Sequence, residues 1–172
     1  MTNQLQALVK IKIERCRENV QLPQYARPGD AGMDLRAAAE LVIAPGQAAA
    51  VPTGIRVAIP VGFEIQIRPR SGLSLHTPLR IPNSPGTIDS GFRDEIHVII
   101  ANESRVLREN EADEIRNLDA KGNHPGSYRI QVGDRIAQMV ISRVETVCWQ
   151  TVDSVLEEGE NRGGGFGHTG VS

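Results

Sequence analysis

Cysteine is nearly absent: Cys16 and Cys148 are the two thiols in 172 residues. They stand far apart, match no metal-ligand spacing and build no disulfide framework, which points to a reducing compartment. Large rings are equally scarce, being Tyr25, Phe63, Phe92, Tyr128, Trp149 and Phe166. A core must therefore come from Val, Ile, Leu and Ala, side chains that suit sheets packed face to face. No run of about eighteen apolar residues occurs, so no membrane-spanning helix is expected. Met1–Lys10 also lacks the basic-then-apolar pattern of a secretion signal. Neither sign of charge dominates: the formal net charge is −2, which leaves no broad basic field for nucleic acid or an acidic membrane. The expectation is a soluble cytoplasmic protein with neither as a partner. Lysine is the rare cation, with Lys10, Lys12 and Lys121 against sixteen arginines. That bias suits two-point recognition of phosphate or carboxylate, and genomic composition explains it equally well.

Missing motifs narrow the chemistry. The glycines include no G-x-x-x-x-G-K-[ST] phosphate loop, and no G-x-S-x-G elbow presents a serine nucleophile. His76, His97, His124 and His168 are scattered, and no H-x-E accompanies a P-C-x-x-C, so zinc-type deamination is excluded.

What is present is a succession of short apolar runs with two-residue alternation, punctuated by Pro and Gly. Leu8–Arg15, Ile55–Pro60, Phe63–Pro69, Glu95–Asn102, Tyr128–Val132 and Arg135–Val144 read as strands. Pro60-Val61-Gly62 reads as the turn of a hairpin between two of them. Ten prolines argue against long helices. The length suits one domain, and many strands with regular turns make it all-β: a sandwich, jelly roll or barrel. The domain is placed at residues 1–156, followed by a flexible glycine-rich arm at 157–172. Glu103–Gly126 breaks the rhythm. It is charged, spaces Leu107, Ile115 and Leu118 as a helix would, and reads as an exposed insertion with room for one short helix.

Five stretches carry groups with chemistry. DAGMDLRA (Asp30–Ala37) sets the Asp34 carboxylate beside a flexible turn, where alone it reads as a capping aspartate. RPRSGLSL (Arg68–Leu75) gathers Arg70, Ser71 and the open backbone of Gly72, the guanidinium, hydroxyl and N–H groups that phosphate oxygens need. Alone it reads as a strand-end turn with a solvated arginine. PNSPGTIDSGFRDE (Pro82–Glu95) offers Asn83 as donor and acceptor for a base edge, Asp89 to orient a water and Phe92 as a flat apolar surface. Its plain alternative is an ordinary β-hairpin. GDRIAQMV (Gly133–Val140) is a turn entering a strand. NRGGGFGHTGVS, the last stretch, sets Arg162 and Phe166 among glycines and lacks the apolar content to fold by itself.

Taken in order, these stretches resemble the five motifs of the trimeric dUTPases, the deoxyuridine triphosphate nucleotidohydrolases, over nearly the whole chain. The resemblance implies a β jelly roll, a distorted barrel or sandwich. It also implies a homotrimer with three active sites built between subunits, and Mg²⁺-assisted hydrolysis of dUTP to dUMP and pyrophosphate. That reaction keeps uracil out of DNA and supplies dUMP. By the same resemblance, Asp34 would hold water on a Mg²⁺ chelated by the triphosphate. Arg70, Ser71 and Gly72 would contact the phosphates, with Gln138 nearby. Asn83, with the backbone of Gly86, Thr87 and Ile88, would read uracil, and Asp89 would position and deprotonate the attacking water. Phe92 would lie against the deoxyribose, excluding a 2′-hydroxyl, and Arg162 and Phe166 would close over the γ-phosphate and the uracil. Because glycine-rich backbone is costly to order, the arm is expected to close as a lid only over bound nucleotide.

The chain departs from the family pattern in four places. Phe92 stands where tyrosine is usual, and Asp94 where glycine is common. The Glu103–Gly126 segment is longer than the usual connection, and the Arg162–Phe166 spacing is one residue short. Two rivals share the fold: a dCTP deaminase, and a non-catalytic nucleotide-binding protein. Against the first, the deaminase's general-base glutamate would fall at Ile99, and Gly72 stands where its second motif has serine. Against the second, Asp34, Arg70, Asp89, Gln138 and Arg162 are all present.

Overall fold

Buried aliphatics alternating with outward polar residues set the architecture. In β6 (Phe63–Arg68), Ile65 and Ile67 are buried while Gln66 and Arg68 face outward. A computed structural model describes residues 8–106, 108, 114–156 and 158–160. Arg162 and Phe166, and with them the expected lid, lie outside the described residues. In chain order the remaining elements begin with β1 (Lys12–Arg15), β2 (Gly32–Arg36), β3 (Leu41–Ile43), β4 (Ala48–Pro52) and β5 (Ile55–Ala58). After β6 come α1 (Ser71–His76), β7 (Leu79–Arg80), β8 (Gly86–Ile88), β9 (His97–Asn102), β10 (Arg116–Asn117), β11 (Tyr128–Ile130) and β12 (Arg135–Arg143).

The strands form small sheets ordered β1-β5, β10-β11-β3, β2-β12-β6-β8 and β4-β9-β7, wrapped around one core. That core is Val, Ile, Leu and Ala, as the shortage of rings requires, with Met139 and one large ring, Tyr128, among them. Trp149 is 89% exposed, on a stretch that leaves the last strand and also exposes Val147 and Leu156.

The structure corrects three expectations. The turn at Pro60-Val61-Gly62 forms, with the Phe63 N–H donating to the Pro60 carbonyl at 3.2 Å and Gly62 at a φ of 85°. It does not close a hairpin, because β5 pairs with β1 while β6 pairs with β12 and β8. Two-residue alternation reports which face is buried, not which strand lies alongside, and this turn passes the chain from one sheet to another. Of Leu8–Arg15, only Lys12–Arg15 is a strand, and all four of its residues are exposed. DAGMDLRA is a strand rather than a turn: Asp34 sits in the middle of β2, opposite Gln138 of β12.

The described residues of the charged insertion are stitched to the body at several points. At its neck the buried Asn102 donates through Nδ2 to the carbonyls of Ile43 and Gly126, both at 2.9 Å. Arg116–Asn117 adds a short parallel strand to β11. The Asn123 N–H donates to the His76 carbonyl at 2.9 Å, and the Tyr128 hydroxyl donates to the His124 carbonyl at 2.8 Å. No helix forms among the described residues of the insertion. Leu118 reaches the core from a turn instead.

Candidate functional site

Three of the motifs meet on the outer face of the β2-β12-β6 sheet. Asp34, Gln138 and Arg68 lie in one row across the three strands. Strand β6 ends at Arg68, and the chain turns at Pro69 so that Arg70 reaches back over the row. Its Nε donates to Asp34 Oδ1 at 2.8 Å, and its guanidinium also approaches the Arg135 carbonyl at 3.4 Å. Arg135 holds the other oxygen of Asp34 at 3.3 Å. Gln138 Nε2 donates to the Pro69 carbonyl at 2.9 Å, so its amide fixes the turn that presents Arg70. Gly32 leaves that amide its room: a Cβ at that position would overlap Gln138 Oε1 and force the side chain to shift.

Arg135 is a participant the sequence reading missed. It lies three positions from Gln138, and in a regular strand an odd separation places two side chains on opposite faces. The register shifts between Arg135 and Ala137, and a bulge of this kind reverses the alternation. Arg135 and Gln138 thereby share the face that bears Asp34.

The third motif gathers elsewhere. The buried Gly86 of β8 lies beneath Asn83, whose Nδ2 would be 3.1 Å from a Cβ placed on Gly86. Thr87 and Asp89 are exposed, while Ile88 and Phe92 pack against the core. The turn that follows β8 is held from within. The Phe92 N–H donates to the Asp89 carbonyl at 3.1 Å, and Arg93 bonds the carbonyls of Ser90 and Phe92 at 2.7 and 2.6 Å. It is not a paired hairpin, since β8 pairs with β6 and β9 pairs with β4 and β7.

One chain does not bring Asp89 to Asp34. Three inter-strand steps separate β2 from β8, about 14 Å at ordinary strand spacing. Asp89 also continues β8 beyond the Ile88–Ile65 pair, whereas Asp34 is level with Arg68 at the far end of β6. That adds about 13 Å along the strands. The candidate residues thus fall in two separate clusters on the chain. Ser71 and Gly72 are exposed at the start of α1, beside Arg70. Arg162 and Phe166, expected to close over the γ-phosphate and the uracil, lie outside the described residues.

Where the third motif rejoins the body, Glu95 acts as a clamp. Arg17 grips both carboxylate oxygens at 2.8 and 2.9 Å, and the Gly54 N–H adds a bond at 2.8 Å. The Arg17 bond, reinforced by that N–H against partial burial, holds the Glu95 pKa below its ordinary value. A folded-state pKa below the unfolded one, about 4.3 for glutamate, stabilises the fold above the unfolded value. That contribution is lost as pH falls through the depressed folded value. Glu95→Gln should therefore lower the urea midpoint at pH 7, and the gap to the parent protein should close as pH falls below about 4. A gap independent of pH would exclude the clamp's charge as its source.

Comparison with known proteins points to one family. A family model described as dUTPase matches residues 18–111. The deoxyuridine 5′-triphosphate nucleotidohydrolase of Syntrophotalea carbinolica is 43% identical over 164 residues, covering 94% of this chain and 97% of that protein. Among solved structures, a mutant of the Staphylococcus bacteriophage 80alpha dUTPase with dUpNHpp is 32% identical with a TM-score of 0.83. It covers 94% of this chain and 99% of that one. A mutant dUTPase from phage phi11 of S. aureus, whose structure details a coordinated structural Mg(II) ion, is 28% identical with a TM-score of 0.74. There the match covers 84% of this chain and 97% of the other.

Proposed function

The chain belongs to the dUTPase family, and from that premise we propose that it hydrolyses dUTP to dUMP and pyrophosphate at sites completed between the subunits of a homotrimer. The observation that carries this reading is the split arrangement. Asp34, Arg70, Arg135 and Gln138 form a phosphate-binding half, and Asn83 to Phe92 form a base- and water-binding half on the opposite sheet edge. Exposed apolar side chains beside the sheets support burial against other subunits. Leu8, Tyr25, Val147, Trp149 and Leu156 are among them.

In this reading water attacks the α-phosphorus and pyrophosphate leaves, so the protein contributes alignment and charge stabilisation. Asp89 accepts the water's proton. Arg70, Arg135 and the backbone at Ser71–Gly72 face the phosphate oxygens, with donors that need no rearrangement as charge develops. Asn83 presents donor and acceptor to the uracil edge. A cytosine in its place would leave buried polar groups unpaired. Phe92 supplies the flat wall against the sugar. Its ring is fixed by the core, so it excludes a 2′-hydroxyl without the phenolic oxygen.

The donor set suits Mg²⁺ carried on the substrate. An ion held by substrate phosphates needs at most one or two carboxylates from the protein. Asp34 accepts one bond on each oxygen and retains lone pairs for a water on the ion. A Mg²⁺ ion held there would offset charge on the triphosphate.

The reading is tested by product analysis on dUTP, dCTP, dTTP and UTP, with Mg²⁺ and with chelator. Pyrophosphate and dUMP should appear from dUTP alone, and only with the metal. Ammonia from dCTP would overturn it.

A further inference from the structure

We infer that the inserted segment reaches into the phosphate half-site and supplies a substrate-binding residue of its own, Lys121, to the outer phosphates of the nucleotide and to the pyrophosphate product. This rests on the functional reading above. A cleft of about 320 Å³ opens beside Arg70. Arg70, Gly72 and Arg135 form one wall, and Leu118, Asp119 and Lys121 of the insertion form the other.

The second wall is held in place from both ends. The Asn123 N–H, two residues past Lys121, donates to the His76 carbonyl at the end of α1. Leu118, three residues before it, packs against the core. Lys121 is thus pinned on both sides while its side chain is exposed to the cleft.

The charges in the cleft are divided unevenly. Asp34 is engaged by both Arg70 and Arg135, and Asp134 accepts the Gln131 N–H at 2.8 Å. Lys121 and Asp119 are the two charged groups of the cleft whose side chains make no hydrogen bond or ion pair among the described residues. They sit on one turn, two positions apart and opposite in sign. An oxyanion entering beside Arg70 meets Lys121 as an added donor and Asp119 as a repelling neighbour. The outer phosphates and free pyrophosphate carry the charge that such a wall distinguishes; dUMP has no such group beyond its α-phosphate.

The experiment uses the full-length enzyme with inorganic pyrophosphate and dUMP as competing inhibitors of dUTP hydrolysis. Lys121→Met should weaken pyrophosphate inhibition and raise KM for dUTP, each by about fivefold, with kcat and dUMP inhibition unchanged. Lys121→Arg should restore both. Asp119→Asn should shift pyrophosphate inhibition the other way, about two- to threefold tighter. Pyrophosphate inhibition within twofold of the parent in Lys121→Met, or equal weakening of dUMP, overturns the proposal while leaving dUTP hydrolysis intact. A parent enzyme that releases no dUMP from dUTP fails at the earlier reading instead.

Discussion

Asp89→Asn should bind dUTP as the parent enzyme does and turn it over about a thousandfold more slowly, within the range of 10²–10⁴ that a positioned general base contributes. The expectation follows from how little else Asp89 does. Its carboxylate is exposed and makes no hydrogen bond or ion pair among the described residues. The turn around it is held by backbone and by Arg93, and Glu95 pins the end of the motif to Arg17 and Gly54. An isosteric amide therefore leaves fold and pocket unchanged, with stability altered by no more than about 0.5 kcal/mol. What it removes is the group that accepts a proton from water. Pyrophosphate release measures kcat, and calorimetric titration with dUTP measures binding. Near-normal turnover would assign the base to another residue, and a matching loss of binding would make Asp89 a ligand to substrate rather than to water.

How much of this was legible in the sequence depends on which interaction each feature relied on. Strands whose aliphatics alternate strongly, such as Phe63–Arg68, were readable because burial repeats every two residues. Strand β2 was hidden because Asp30, Gly32 and Asp34 carry turn chemistry, and its pairing with β12 fixes it as a strand only in three dimensions. Strands β3 and β4 were missed for a related reason: LVI is too short, and AAAVP too small-sided, to show a pattern. Sheet partners were not legible, as the turn at Pro60-Val61-Gly62 shows. At the site, the motif resemblance pointed to Asp34, Arg70, Asn83, Asp89 and Gln138 as residue types in order. It implied sites built between subunits, and the strand order shows where within one chain Asp34 and Asp89 part, at opposite edges of one sheet. Arg135 was concealed by a bulge that exists only as a register shift between paired strands. The Arg17–Glu95 clamp spans 78 positions, and no local pattern announces it. Lys121 lay in a charged run that reads as solvated until its turn is seen pinned to α1.

Arg70→Lys should lower kcat/KM for dUTP about a hundredfold although it keeps the charge. Arg70 directs Nε to Asp34 at 2.8 Å and another nitrogen toward the Arg135 carbonyl, and its fork still holds donors for a phosphate oxygen. An ammonium is a point charge on a flexible stem: it can pair with Asp34 or meet the phosphate, and not hold both geometries. A hundredfold loss corresponds to about 2.7 kcal/mol of transition-state stabilisation, the size of one charge-assisted hydrogen bond with its orientation. A loss under threefold would make Arg70 a structural partner of Asp34 alone. This variant also tests the split site in combination with the first. If each site takes Arg70 from one subunit and Asp89 from another, random co-refolding of Arg70→Lys and Asp89→Asn chains in equal amounts yields a wholly intact pair in about one site in four. The mixture should then recover about a quarter of parent activity, whereas the two variants mixed after separate assembly should recover none. No gain on co-refolding would mean that Arg70 and Asp89 serve the same site from the same chain. The separation of about 14 Å across the sheet and 13 Å along it weighs against that outcome.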